Sequence, residues 1–137
     1  MALSISGSDY EPQRVAQLAY EGQTVNVILC NDAGSGTTAE DLIADWQEIE
    51  VSGDGYSPYS TTVATGSYVS AEGRYEFPTI SASFTSTGGP AISYDRVVIY
   101  LDGQTYPYCI LTEEPNVLIL TGQTRIYDIV LKHRIDF

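Results

Sequence analysis

The sequence is poor in the residues that most enzymes use for catalysis and in those that bind nucleic acid. Its 137 residues include one His, one Lys and two Cys, and six basic residues stand against eighteen acidic ones, for a formal net charge of −12. Such a surface repels phosphate, which argues against binding to nucleic acid or to an anionic membrane. No apolar run approaches the roughly 20 residues that cross a bilayer, and the first residues do not resemble a secretory signal, so we expect no export.

The remaining composition is that of a folded protein with one core. Hydrophobic residues make up 43% of the chain and charged residues 18%, and eleven Tyr accompany only three Phe. A chain of this length and composition is typical of a single globular domain. We therefore expect a polar N-terminal arm over residues 1–12, followed by one β-rich domain over residues 13–137.

Short apolar segments alternate with turn residues along most of the chain. The clearest predicted strands are Thr24–Cys30, Ile80–Thr85 and Tyr94–Leu101, and Asp102-Gly103 predicts a hairpin that returns over Tyr106–Leu111. Weaker predicted strands cover residues 60–63, 66–69 and 74–77. Residues 117–120 and 124–131 form a last hairpin-like pair. We expect roughly seven or eight short strands from these segments. Their spacing predicts a mainly β fold, an antiparallel β-sandwich or a partly closed barrel.

One short helix is predicted within this β-rich pattern. Thr37 to Glu40 fits a capping box, in which a hydroxyl and a carboxylate three residues apart satisfy the first backbone N–H groups. The helix is expected over residues 38–47, with Leu42, Ile43 and Trp46 sharing its core-facing side. Residues 14–20 fit either a short helix or an extended segment.

Candidate reactive residues have simple structural explanations. His133 lies between Lys132 and Arg134 with no nucleophile pattern nearby, so a histidine at the rim is favoured over the base of a small hydrolase. Cys30 and Cys109 both lie in apolar strands without metal-type spacing. Two buried free thiols are favoured there over a disulfide.

Acidic residues in loops leave calcium binding as a weaker alternative. The loop acids lack the alternating ligand spacing of an EF-hand, and helix capping and solvation explain them more simply: Asp32, Glu40, Asp41 and Asp54. We therefore predict no catalytic residues, no metal and no cofactor.

The tyrosines are the best candidates for a binding surface. Tyrosine offers a large contact area and loses little entropy when fixed, so it is favoured at interfaces and at sugar-binding platforms. The alternative is that Tyr fills half-buried positions in a protein with few Phe, and a protein interface is preferred to a sugar site. The predicted interface residues are Tyr10, Tyr56, Tyr59, Tyr106, Tyr108 and Phe137.

Four groups of segments, in order, carry a resemblance to a known family. They are Leu18–Asp32; Thr37–Trp46 with Glu50–Tyr56; Gly73–Phe84; and Tyr94–Leu101 with Tyr106–Tyr108, Leu111–Pro115 and Leu120–Thr124. Over about residues 15–131 the chain resembles small structural proteins of tailed bacteriophages. The sequence extends past the usual closing strand with Lys132–Phe137, and this tail is a candidate contact between subunits.

The resemblance implies a virion component without enzymatic activity, assembled in the host cytoplasm. The favoured function is that of a capsid cement or decoration protein that binds the major capsid protein or other virion proteins, with a homotrimer favoured. The alternative is a tail or baseplate component that contributes to binding of host-surface glycans.

Overall fold

Nine strands and two α-helices account for most of the residues that the computed structural model describes, which are 10–32, 41–53, 55–89 and 91–134. In chain order they are α1 (Tyr10–Tyr20), β1 (Thr24–Cys30), α2 (Ile43–Glu48), β2 (Tyr59–Thr62), β3 (Ser67–Val69), a 3-10 turn (Ser70–Glu72), β4 (Arg74–Glu76), β5 (Ile80–Thr85), β6 (Ile92–Leu101), β7 (Cys109–Ile119), β8 (Thr124–Ile129) and β9 (Lys132–Arg134). The predicted mainly β class is confirmed.

The strands form three antiparallel sheets. The largest has the order β2-β1-β6-β7, and the two smaller ones have the orders β3-β4-β9 and β5-β8. Val27 of the large sheet shares one hydrophobic core with Phe77, which follows β4, and with Phe84 of β5. One face of the large sheet therefore packs against both smaller sheets. The arrangement is sandwich-like, and the described strands do not close into a barrel.

The burial of each strand follows from which of its faces are covered. In β5, Ile80, Ala82 and Phe84 are buried and the residues between them are exposed, so only one face meets the core. Strand β6 is buried on both faces because α2 covers the outer face of the large sheet. Trp46 of α2 packs there with Val98 and is only 1% exposed, which confirms its predicted burial.

The helices differ from the prediction at their starts. Asp41 and Leu42 are not helical, so α2 begins at Ile43, and the predicted start at residue 38 is wrong for the described part. The reason is local: the Asp45 carboxylate accepts the Leu42 N–H at 3.1 Å and so caps a helix that begins at Ile43. Thr37 to Glu40 lie outside the described residues.

Helix α1 is a second α-helix, whereas the sequence predicted only one. It takes the helical alternative for residues 14–20 and also includes residues 10–12 of the predicted arm. Pro12 is compatible with this start, because the first-turn N–H that proline lacks has no partner within a helix. Residues 1–9 of the predicted arm lie outside the described residues.

The predicted last hairpin is wrong. A single strand, β7, runs from Cys109 to Ile119 and pairs with β6, whereas β8 pairs with β5. A turn does form, since the Gln123 N–H donates to the Leu120 carbonyl at 2.8 Å. Backbone hydrogen bonds from Gly122 to Ser86 and from Ser86 to Gln123 join that turn to the end of β5. The turn therefore carries the chain from one layer to the other.

Candidate functional site

A concave site, here called the tyrosine cleft, lies where the end of α1 meets the loop between β6 and β7. Its volume is about 400 Å³, and it is lined by Ala19, Tyr20, Leu101, Gln104, Tyr106, Pro107 and Tyr108. Two of the six predicted interface residues, Tyr106 and Tyr108, thus belong to one site. The predicted turn at Asp102-Gly103 is also found, because the Gln104 N–H donates to the Leu101 carbonyl.

Backbone hydrogen bonds hold the loop of the cleft at several points. Gly103 has a φ of 80°, a conformation that glycine adopts without strain, and it allows the tight turn after β6. The Ile43 N–H donates to the Thr105 carbonyl at 3.0 Å, and the Tyr108 N–H donates to the Ile99 carbonyl at 2.8 Å. The loop is therefore hydrogen-bonded to both α2 and β6, and these bonds fix the shape of the cleft before any ligand binds.

Ring contacts orient the aromatic walls. The rings of Tyr20 and Tyr108 meet edge to face, with centroids 6.0 Å apart and planes at 88°. Tyr20 also contacts Phe77 at 5.4 Å and His133 at 5.7 Å. The Tyr108 hydroxyl donates to the Lys132 carbonyl at 3.2 Å. These contacts hold the Tyr20 and Tyr108 rings perpendicular to each other, and the two rings together form one corner of the cleft.

The lining of the cleft carries no charge, although the protein as a whole is strongly acidic. Tyr106 is the most exposed of these aromatic residues, with 59% of its surface accessible. Burial, and then the nearby Tyr108, raise the pKa of Tyr20 above its ordinary value. The Tyr20 hydroxyl is therefore neutral at physiological pH and able to donate a hydrogen bond.

The other predicted interface residues lie elsewhere. The Tyr56 hydroxyl donates to Glu50 and accepts from the Leu29 N–H, so this side chain is engaged inside the protein. Tyr59 is half-buried in β2 against the main core. Tyr10 begins α1, and Phe137 lies outside the described residues.

Sequence reasoning missed Tyr20 and Gln104 as members of the site. Tyr20 ends a helix far from residues 104–108 in sequence, and no local pattern signals that the two segments meet. Gln104 directly follows the Asp102-Gly103 turn. Its position at a loop tip was the one feature of the sequence that could have marked it as a member of the site. Neither hydrophobic periodicity nor a sequence motif can reveal a site whose residues are brought together only by long-range packing.

The reactive side chains are arranged as follows. His133 is half-buried in β9 opposite Tyr75, as expected for a histidine at a rim. Both cysteines are free, but only Cys30 is buried, so the predicted burial of Cys109 is wrong. Cys109 begins β7, at the edge of the sheet, and β6 lies between it and β1. Two strand spacings separate the thiols, which is too far for a disulfide.

The loop acids are engaged in ordinary contacts where they are described. The Asp32 N–H donates to the Asp95 carboxylate at 2.8 Å, and Arg96 lies 3.3 Å from the Asp32 carboxylate. Within the described ranges no three His, Cys, Asp or Glu side chains are grouped so as to hold a metal ion. Glu40 and Asp54 fall outside those ranges.

None of the helices in the described part of the chain is long and apolar enough to cross a bilayer. Compared with known proteins, the chain matches no family model, no curated protein and no solved structure.

Proposed function

We propose that this protein is a non-enzymatic structural component of a tailed-phage virion, a cement protein that binds the assembled capsid. The resemblance of four segment groups to such proteins suggests the role. The structural observation that carries the proposal is the open edge of β7, which suits docking against another protein.

Strand β7 combines length, an open edge and exposed apolar side chains. It has eleven residues and lies at the end of the four-stranded sheet, and no strand in the described ranges pairs with its other side. Leu111, Leu118 and Leu120 in or just after it are 43%, 57% and 51% exposed. An open edge offers backbone groups to an added strand, and apolar side chains alongside add contact area.

The middle of this edge is irregular, which supports a specific partner rather than unrestricted pairing. The register between β6 and β7 shifts between Tyr94 and Arg96. Glu113 is held there by the Tyr127 hydroxyl at 2.9 Å and by Arg125 at 3.6 Å. Bulges and charged residues on an edge strand are the usual means of preventing indiscriminate strand addition.

A cement protein needs a surface that complements the capsid, and it does not need to catalyse a reaction. A protein that binds only the assembled shell stabilises that shell by mass action. The net charge of −12 favours a partner surface with an excess of basic residues, such as an outward-facing patch of the major capsid protein. A homotrimer would match the threefold positions of a capsid, since homo-oligomers form closed symmetric assemblies.

Sedimentation of purified protein with capsids that lack it tests the proposal. We expect the wild type to co-sediment and to raise the temperature at which the shells open. Leu118→Lys combined with Leu120→Lys should weaken binding at least about tenfold, because two charges replace apolar contacts. Ile126→Lys on β8, 58% exposed, is the matched control and should bind like the wild type. Absence of wild-type binding to capsids would refute the proposal.

A second candidate is a tail or baseplate component that binds host-surface glycans, and the tyrosine cleft favours it. Gold-labelled antibody on intact virions separates the two candidates. Label spread over the head supports the cement role, whereas label confined to the tail supports the alternative.

A further inference from the structure

We propose that the tyrosine cleft binds a neutral saccharide. This inference rests on the second candidate function and deepens it, because it names the class of ligand that the cleft would bind. It does not depend on the cement role, since the lining of the cleft includes none of the exposed leucines in or just after β7.

The charge of the lining points to a neutral ligand. Eighteen acidic residues are spread through the chain, yet none of the seven lining residues is charged. A site for a cationic ligand would be expected to place carboxylates at its walls, and a site for phosphate or sialic acid would need Arg or Lys. Neither is present among the lining residues.

The hydrogen-bonding groups of the cleft suit sugar hydroxyls. The Gln104 amide carries both donors and an acceptor, and the Tyr106 hydroxyl can act as either. Neither side chain forms a hydrogen bond with any residue in the described ranges, so both can serve a ligand. Sugar hydroxyls are donors and acceptors as well, and this mixed set can pair with them without leaving a buried charge.

The aromatic walls suit the apolar face of a sugar ring. Tyr20 and Tyr108 stand at 88° to each other, and Tyr106 is largely exposed beside them. A pyranose can place its C–H face against one ring while its hydroxyls reach the polar groups at the edge. The alternative ligand, a proline-rich peptide, requires an extended groove between aromatic side chains. A perpendicular corner fits it less well.

The size and rigidity of the cleft agree with a short saccharide. A volume of about 400 Å³ is in the usual range of small-ligand pockets, roughly 300 to 1,000 Å³. The loop is fastened to α2 and β6, and the Tyr20 and Tyr108 rings are fixed by packing. Binding therefore immobilises few additional side chains, which preserves affinity for a small ligand.

A glycan array, followed by saturation-transfer NMR and calorimetry with methyl glycosides of neutral hexoses and N-acetylhexosamines, tests the proposal. We expect at least one neutral glycan to bind with a Kd near or below about 1 mM. Tyr106→Ala should weaken binding at least about tenfold by removing the exposed ring, and Gln104→Ala by about fivefold. Ile126→Ala, at an equally exposed site on β8, is the control and should leave the Kd unchanged.

Four results would overturn the inference. The first is that no neutral glycan binds the wild-type protein. The second is that binding is restricted to charged glycans. The third is that Tyr106→Ala binds as well as the wild type although circular dichroism shows it folded. The fourth is that a proline-rich peptide binds the cleft and no sugar displaces it. None of these results bears on capsid binding, which the β7 variants test separately.

Discussion

The hydroxyl of Tyr56 donates a hydrogen bond to the carboxylate of Glu50 at 2.6 Å. The same oxygen accepts the backbone N–H of Leu29 at 3.1 Å. Burial of the phenol, followed by the bond to Glu50, raises the pKa of Tyr56 well above its ordinary value. A side chain that appeared from its turn-rich surroundings to be an interface residue therefore connects β1 to the segment that follows α2.

Replacing Tyr56 by Phe should destabilise the fold. The substitution leaves a part-buried Leu29 N–H and the Glu50 carboxylate without their shared partner, while the ring and its stacking on Phe84 remain. We expect a loss of about 1 to 3 kcal/mol in the free energy of unfolding, measured in urea. Tyr59→Phe is the control, because the Tyr59 hydroxyl bonds to no described residue, and it should change stability by less than about 0.5 kcal/mol. Equal effects of the two substitutions would contradict the structural role of Tyr56.

The two thiols should differ sharply in reactivity. Cys109 is exposed, whereas Cys30 is buried and its Sγ–H donates to the Trp46 carbonyl at 3.3 Å. Burial, with smaller effects of Glu50, Asp95 and Asp32, raises the pKa of Cys30 to about 12. Because the thiolate is the reactive form, a thiol reagent at about pH 8 should modify one cysteine per folded chain and the second only after unfolding. In Cys109→Ser no rapid reaction should remain, and two rapid reactions in the wild type would refute this.

Stability should fall at alkaline pH through Cys30. Its pKa is raised from an ordinary 9.0 to about 12, so below pH 9 the thiol is protonated in both folded and unfolded chains and carries no penalty. As the pH rises from 9 towards 12, the unfolded chain loses this proton first and gains stability over the folded one. We expect a contribution of about 1.4 kcal/mol per pH unit from this group.

Urea unfolding of the wild type and Cys30→Ala between about pH 8 and pH 11 measures this slope. The variant should be less stable than the wild type at the lower pH because of lost packing, but its stability should fall less steeply. Buried tyrosines such as Tyr94, whose pKa is also raised by burial and by the bond to Tyr127, contribute to the decline in both proteins. Parallel slopes would show that Cys30 is not the titrating group.

Gly66 should tolerate no side chain. A Cβ at this position would collide with the Glu76 carbonyl oxygen and with the rings of Tyr75 and Phe77. The Tyr75 hydroxyl also donates to the Gly66 carbonyl at 2.9 Å, so the two segments cannot separate freely. We expect Gly66→Ala to cost about 2 to 4 kcal/mol, measured by thermal or urea unfolding. Gly103→Ala, where a Cβ meets open space but φ is positive, should cost only about 1 kcal/mol.

Local pattern predicted the strongest elements well. Strands β1 and β5 have the predicted ends, and β6 contains the predicted segment from Tyr94 to Leu101. In each strand, β-branched and apolar residues determine both the extended backbone and the buried faces. The spacing of these residues along the sequence is therefore sufficient to predict the strand. Ile43 and Trp46 were placed correctly for the same reason, since their spacing puts both on the buried side of α2. Leu42, expected on that side as well, precedes the helix and is 40% exposed, so this part of the prediction is wrong.

Strand β7 shows where such reasoning fails. One predicted strand ended at Leu111 and the next began at residue 117, yet the single strand β7 runs through the residues between them, which include Pro115. A proline without an N–H is tolerated because β7 is an edge strand, and the register shift opposite Asp95 absorbs the irregularity. Edge position is a property of sheet order, and no local residue encodes it.

The sequence by itself determined the β-rich class, the main strands and the strongly acidic surface, because these depend on the composition and on periods within a few residues. Only the tertiary structure decided which strands pair, which tyrosines are buried and which form the cleft. Tyr20 and Tyr106 come together because α1 and the β6–β7 loop pack at one end of the molecule. Contacts between residues so far apart in the chain are selected by the burial of the whole core, and the chain carries no local signal for them.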